Sequence, residues 1–284
     1  MQAYLDNSAT TRPCEAAMQA MLNSMREGYH NPSALYKAAV VAEHALEAAR
    51  VTIAKPLGMD GKNVVFTSGG TEGDNLAILG ALCTAREKGD VLYTAAEHPA
   101  VKNACLEAAA LYGHTAREIP LDAGGSVDLA ALADMLGPRT LLVCVMQVCN
   151  ETGVIMPIGE VVRLRDRIAP KAAIHVDGVQ GYLRLPFAMK GSGVQSYAVS
   201  AHKAHGPKGI GALVTQNGYR LHPLMVGGGQ QNGLRSGTEN TVGIAGFAAA
   251  VAAYPPTEEA LAALRALKQT AVEQLTAAIP SMRV

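Results

Sequence analysis

Short apolar runs alternate along the chain with longer stretches whose apolar residues recur at helical spacing. Residues 64–67, 91–94, 141–145, 172–176 and 197–200 are runs of strand length, rich in β-branched residues or leucine. Between them, 75–88, 100–112, 129–136 and 158–168 are amphipathic and predict helices. Repetition of strand, helix, strand requires right-handed crossovers, so the pattern predicts an α/β fold: a mostly parallel sheet flanked by helices on both faces. Residues 210–215 follow the preceding strand after a short Gly/Pro loop, which suits an antiparallel strand. Residues 33–57 read as a helix before this core and 244–253 as a buried, Ala-rich helix after it. Pro255-Pro256 then breaks the chain. Thr257 opens a long amphipathic helix to about Ile279, with Glu258 and Glu259 in its first turn suiting the helix dipole.

Composition narrows the class without naming a function. At 284 residues and 49% hydrophobic content, the chain can bury a large core. Lys plus Arg equals Asp plus Glu at 24 each, and no basic tract is interleaved with aromatics, which argues against nucleic acid as a direct partner. Zero net charge also favours association into an oligomer. The five cysteines (14, 83, 105, 144, 149) are scattered and form no CxxC pair, so neither a disulfide framework nor a metal site is indicated. Cys83, Cys105 and Cys144 sit in apolar stretches and read as small buried hydrophobes. The start lacks the basic and then apolar regions of a signal peptide, and no apolar run reaches the ~18 residues of a membrane span. A soluble, cytoplasmic protein with no membrane partner is the expectation.

Candidate chemistry lies where the strands end, because open α/β sheets bind ligands beyond their carboxyl edge. The first strand runs into Ser68-Gly69-Gly70-Thr71-Glu72 and a helix; this is either an anion-binding helix start or a plain turn with Thr71 as N-cap. His98 follows the second strand, where a lone histidine is usually a surface residue. Asn150 precedes a glycine turn, and Asp177 closes its strand as a ligand of metal or ribose, or as a cap. Lys203, after Ser200-Ala201-His202, changes the weighing. A lysine right after an apolar strand and flanked by small residues is held near the sheet end, where desolvation favours the neutral amine that Schiff-base chemistry needs. A carboxylate at a neighbouring strand end suits a pyridinium nitrogen. Lysine, carboxylate and glycine-rich helix start at one edge fit pyridoxal 5′-phosphate (PLP) better than any nucleotide; both GxGxxG and the Gly-Lys-Ser/Thr ending of a P-loop are missing.

Motifs spread over nearly the whole chain carry a resemblance. Tyr4-Leu5-Asp6-Asn7-Ser8-Ala9-Thr10-Thr11, Asn31-Pro32-Ser33, the segment 66–75, Glu97-His98, Asn150-Glu151-Thr152-Gly153, the segment 175–180, Ser200-Ala201-His202-Lys203, the segment 206–211 and Arg235-Ser236-Gly237-Thr238-Glu239-Asn240 resemble the class V aminotransferase superfamily. Within it they are similar to cysteine desulfurases of the NifS/IscS type. The resemblance implies the large domain of PLP-dependent fold type I over 13–254, an N-terminal arm over 1–12 that belongs with the small domain, and only the first helix of a C-terminal small domain over 255–284. It makes Lys203 the Schiff-base lysine and proton carrier, and His98 a ring-stacking group that relays protons. Asp177 would pair with the pyridine nitrogen and Gln180 with the ring hydroxyl. Gly70, Thr71, Ser200 and His202 would hold the phosphate, Thr238 would reach the phosphate of the partner subunit in a homodimer, and Asn150 would contact both cofactor and substrate carboxylate.

The chain departs from the family pattern in two places. Gln147-Val148-Cys149-Asn150-Glu151 stands where the family usually has His-Val-Asn-Asn-Glu, and Ala201 stands where glycine is commoner. Cys149 beside Asn150 either reaches the site or faces away, and the second reading is the more ordinary. The family's sulfur-accepting Ser-Gly-Ser-Ala-Cys loop has no counterpart in these residues, which end about where the small domain would begin. The implied activity is conversion of L-cysteine to L-alanine with persulfide sulfur passed to acceptor proteins for iron–sulfur cluster or thio-cofactor assembly. A selenocysteine lyase, a small-substrate aminotransferase and a non-catalytic scaffold for sulfur transfer are the alternatives.

Overall fold

A computed structural model describes residues 3–255 and 258–282 of the chain. Seven strands form one sheet: β1 (Val64–Thr67), β2 (Asp90–Thr94), β3 (Thr115–Ile119), β4 (Thr140–Met146), β5 (Ala173–Asp177), β6 (Ser196–Ser200) and β7 (Gly211–Thr215). Their order across the sheet is β1-β7-β6-β5-β4-β2-β3. All neighbouring pairs are parallel except those of β7, which runs antiparallel to both β6 and β1. The expected antiparallel turn-back over 210–215 is therefore present, and six strands point their carboxyl ends to one edge.

Eight α-helices accompany the sheet among the described residues: α1 (Glu15–Arg26), α2 (Lys37–Ala54), α3 (Gly70–Leu82), α4 (Pro99–Tyr112), α5 (Leu129–Met135), α6 (Ile158–Ile168), α7 (Thr241–Ala253) and α8 (Glu258–Ala278). Local chemistry sets several starts. The Asp128 carboxylate accepts from the N–H groups of Ala130 and Ala131 (2.9 and 3.0 Å) to cap α5, and Asn240 accepts from Gly243 N–H (2.9 Å) to cap α7. Both faces of the sheet are covered, so a central strand sorts its side chains by alternation. Val143 and Val145 of β4 join a cluster with Ile174, Val176, Val161 and Ile53, while Leu142 and Cys144 join Ile78, Val101 and Cys105 on the opposite face. Gly178 lies so close to the buried ring of Tyr197 that a Cβ there would land on it.

Four elements differ from the sequence reading. The strand β3 and the helix α1 were not anticipated. The helix expected over 75–88 begins five residues earlier and ends at Leu82, and the one expected over 33–57 becomes α2 followed by a short 3-10 turn, Lys55–Leu57. Cys105 and Cys144 are buried as expected, with sulfurs 3.7 Å apart, but Cys83 at the end of α3 is only half-buried. The helix start expected at Thr257 lies outside the described residues; from Glu258 onward α8 is helical and exposes Leu264, Leu267 and Leu275. No helix among the described residues is long and apolar enough to cross a membrane.

Candidate cofactor site

The carboxyl edge of the sheet holds a cavity of about 220 Å³. The turn from β1 into α3 brings Gly70 and Thr71 to it, and the turn from β2 into α4 brings His98. Asn150 follows β4, Asp177 ends β5, Gln180 follows in the next turn, and Ser200, His202 and Lys203 come from the end of β6. Nine of the ten residues singled out from sequence thus line one cavity. The tenth, Thr238, is exposed on the loop before α7 and does not line it. A larger hollow of about 380 Å³ between α1, α2 and α7 is mostly apolar and contains none of these groups.

Thr71 is not the N-cap: α3 starts at Gly70 with Gly69 in the capping position. No side chain caps α3; the Glu72 carboxylate in its first turn accepts from Ser68 N–H at 2.8 Å and from Arg235 Nε at 2.9 Å, and these bonds together outweigh burial and hold its pKa below the ordinary value. The first N–H groups of α3 are left free of helix partners, as at any helix start, and can donate to an anion. Gly70 is needed on packing grounds, because a Cβ there would stand 2.6 Å from Val179 Cγ2. At α4, His98 is the N-cap, and its Nδ1 accepts from Ala100 N–H at 3.1 Å.

The floor of the cavity is acidic. Asp177 is buried, and its Oδ1 accepts from Val179 N–H at 2.9 Å. Burial, helped by the nearby Asp74 carboxyl, pushes its pKa up to about 7. Asp74, on α3 and also lining the cavity, is pushed to about 8 by burial. Its Oδ1 lies 3.1 Å from His175 Nε2, while His175 Nδ1 lies 2.9 Å from Ser196 Oγ. Burial lowers His175 to about 4, so at neutral pH the Asp74–His175 pair is uncharged and shares one proton. Glu97 accepts from Thr94 Oγ1 (2.7 Å) and Met146 N–H (2.6 Å), has no partner for Oε2, and is pushed by burial to about 8. Asp177, which lines the cavity, has no cationic hydrogen-bond partner.

Lys203 is half-buried rather than sealed in the sheet. Its Nζ donates to the carbonyls of Ser8 and of Ala9 (2.8 Å), both on the N-terminal arm. Burial first, and the neighbouring Arg184 second, lower its pKa from the ordinary value, against Asp6 and Asp177. The same arm takes Gln180 Nε2 on Ser8 O (2.8 Å) and places Thr10 Oγ1 3.1 Å from His202 Nδ1. Cys149 packs into the hydrophobic core among residues such as Met146 and Met156, whereas its neighbours Val148 and Asn150 line the cavity. Sequence reasoning assigned no role to Asp74 or Arg184, whose partners His175, Asn7 and Lys203 come from distant segments.

An amine-bearing lysine, an ionisable carboxyl without a counter-ion and a helix N-terminus on one sheet edge define a PLP-binding protein of the α/β, fold type I class. The chain belongs to the class-V aminotransferase family, whose description matches residues 3–284. It is 41% identical over 245 residues to a cysteine desulfurase of Nostoc sp., covering 86% of this chain and 60% of that protein. To a cysteine desulfurase of Cereibacter sphaeroides it is 37% identical over 284 residues, covering all of this chain and 72% of the relative. Among solved structures, a NifS-like protein superposes with a TM-score of 0.84 at 36% identity over 88% of this chain and 69% of that one. The protein SspA in complex with cysteine gives 0.86 at 31% identity over 96% and 77%. The chain thus spans about 60% of the length of the first of these relatives.

The family's cofactor is PLP, and the residues present fit it. The buried Asp177 carboxyl without a cationic partner is matched by a protonated ring nitrogen, and the α3 start by a phosphate dianion.

Proposed function

We propose that this chain is the cofactor-binding part of a cysteine desulfurase that converts L-cysteine to L-alanine and leaves the sulfur as an enzyme persulfide. The observation that carries the reading is the convergence of Lys203, Asp177 and the α3 start on one cavity, in a chain whose relatives bear that activity. The similarity to SspA in complex with cysteine supports the substrate class. When bound, PLP supplies an electron sink for charge developing at the substrate Cα.

The chain's own residues do the rest. Lys203 would hold the cofactor, and its amine would take and return the proton at the substrate Cα. Asp177 would pair with the ring nitrogen, Gln180 with the ring hydroxyl, and His98 would stand against the ring and relay protons. Gly70, Thr71, Ser200 and His202 hold the phosphate, and Asn150 orients the substrate carboxylate. Thr238 reaches the phosphate site of a second subunit, which makes the working unit a homodimer. The sulfur would leave to a cysteine thiolate, the nucleophile such a transfer needs. Acceptor proteins for iron–sulfur cluster assembly, a cytoplasmic location and the division into arm (1–12), large domain (13–254) and first small-domain helix (255–284) belong to the same reading.

Purified chain loaded with PLP and given L-cysteine tests it. We expect a visible absorption band from lysine-bound cofactor, perturbed by cysteine, with little turnover until a chain bearing the acceptor thiol is added, and alanine as the product. Pyruvate as the product would assign a lyase instead, and absence of the band would leave a scaffold.

A further inference from the structure

Arg184 is placed where no motif directs attention. It follows Leu183, a bulky residue held at φ 61°, in the left-handed region that such side chains rarely adopt. A strained residue of this kind persists only where its surroundings over-determine it, and here the turn delivers a guanidinium to three separate segments. Nη1 donates to the Gln180 carbonyl (3.2 Å) and to Gln180 Oε1. Nη2 donates to the carbonyl of Lys203 (2.8 Å) and to that of Asn7 on the N-terminal arm (3.2 Å).

We propose that Arg184 is a positioning residue of the cofactor site: its planar fork fixes the Lys203 turn, Gln180 and the arm relative to one another, and its fixed charge beside Lys203 favours the neutral, nucleophilic amine. This rests on the reading of Lys203 as the reactive lysine. The charge argument is Coulombic, since a permanent cation in a partly dry site disfavours a second one nearby. The charged groups acting on the Lys203 amine are Arg184 from the turn after β5, Asp177 from β5 and Asp6 from the arm, with the His202 ring next to it in the chain. Asp6 and Asp177 pull toward the ammonium form, and so do the carbonyls of Ser8 and Ala9, which accept from Nζ. Arg184 opposes them, and the guanidinium keeps its charge over the whole working pH range.

The test needs no cofactor. Apo chain is pulsed with acetic anhydride, which reacts with neutral amines, at pH values from about 6 to about 10, and acetylation of Lys203 is read by peptide mass spectrometry against Lys171. Arg184→Met is expected to move the Lys203 profile to higher pH, so that acetylation at about pH 8 falls roughly three- to tenfold. Arg184→Lys, which keeps the charge but not the fork, should stay within about twofold of wild type. If Arg184→Met follows the wild-type profile, or Arg184→Lys moves as far as Arg184→Met, the proposal is wrong. Should Arg184→Met not fold by circular dichroism, Arg184→Gln carries the same two outcomes. A shifted profile in a chain that takes up no PLP would sink the cofactor reading and leave the electrostatic one standing.

Discussion

Replacing Asp177 with asparagine should stabilise the empty protein and weaken cofactor binding, and the first effect can be sized. Burial moves the Asp177 carboxyl from 3.8 to about 7 in the folded chain. Between those values the native state holds more protons than the unfolded state, so stability falls as pH rises through that window and levels off above it. A rise of that size corresponds to about 4 kcal/mol in full, of which roughly 2–3 kcal/mol is lost between about pH 5 and pH 8. Asparagine keeps an oxygen for Val179 N–H, which Asp177 Oδ1 accepts at 2.9 Å, and has no charge to desolvate. Urea unfolding of both apoproteins at about pH 5 and pH 8 should therefore show the variant's advantage growing by about 2–3 kcal/mol. With PLP the order reverses: losing a charge-assisted hydrogen bond worth about 1.5–3 kcal/mol should raise Kd roughly ten- to a hundredfold. A stability gap equal at both pH values, or one that narrows, would refute the claim that Asp177 is a strained buried carboxyl awaiting a cation.

Other substitutions separate the site from the scaffold. Gly70→Ala puts a Cβ 2.6 Å from Val179 Cγ2 and should cost about 1–3 kcal/mol in unfolding free energy while also weakening PLP binding, measured by fluorescence titration. Asp128→Ala removes the cap of α5, far from the cavity, and should cost about 1 kcal/mol with PLP affinity unchanged. Glu97→Gln mimics the protonated carboxyl; since burial raises Glu97 from 4.5 to about 8, the variant should gain on wild type as pH rises between those values and hold a constant lead above them, checked by thermal melts at about pH 5 and about pH 8.5.

The strand-end residues were legible because they sit next to short apolar runs that fix where each strand stops. Runs such as 64–67 and 197–200 became β1 and β6, and the polar residues after them fell on one edge. The strand β3 was invisible for a physical reason: it is an edge strand, Thr-Ala-Arg-Glu-Ile, with only Ile119 buried. Likewise α1 buries only Ala17 completely, so its apolar positions look like surface noise. The start of α3 was misplaced because Gly70 and Gly73 read as loop, whereas close packing against Val179 and Ala198 demands them inside the helix. Asp74 and Arg184 escaped because their meaning depends on His175, Lys203 and Asn7, each brought to them by the fold. The motif over 66–75 contains Asp74 without saying what it does, and Arg184 lies outside every motif.

The central claim is that one lysine at the carboxyl edge of the sheet carries the cofactor. Incubation of the chain with PLP, reduction with borohydride and peptide mapping tests it most directly. The account predicts a single reduced adduct on Lys203 that disappears in Lys203→Ala, while Lys208, five residues away on the same loop, stays unmodified. An adduct confined to any other lysine, or none at all under conditions where the chain is folded, would contradict it.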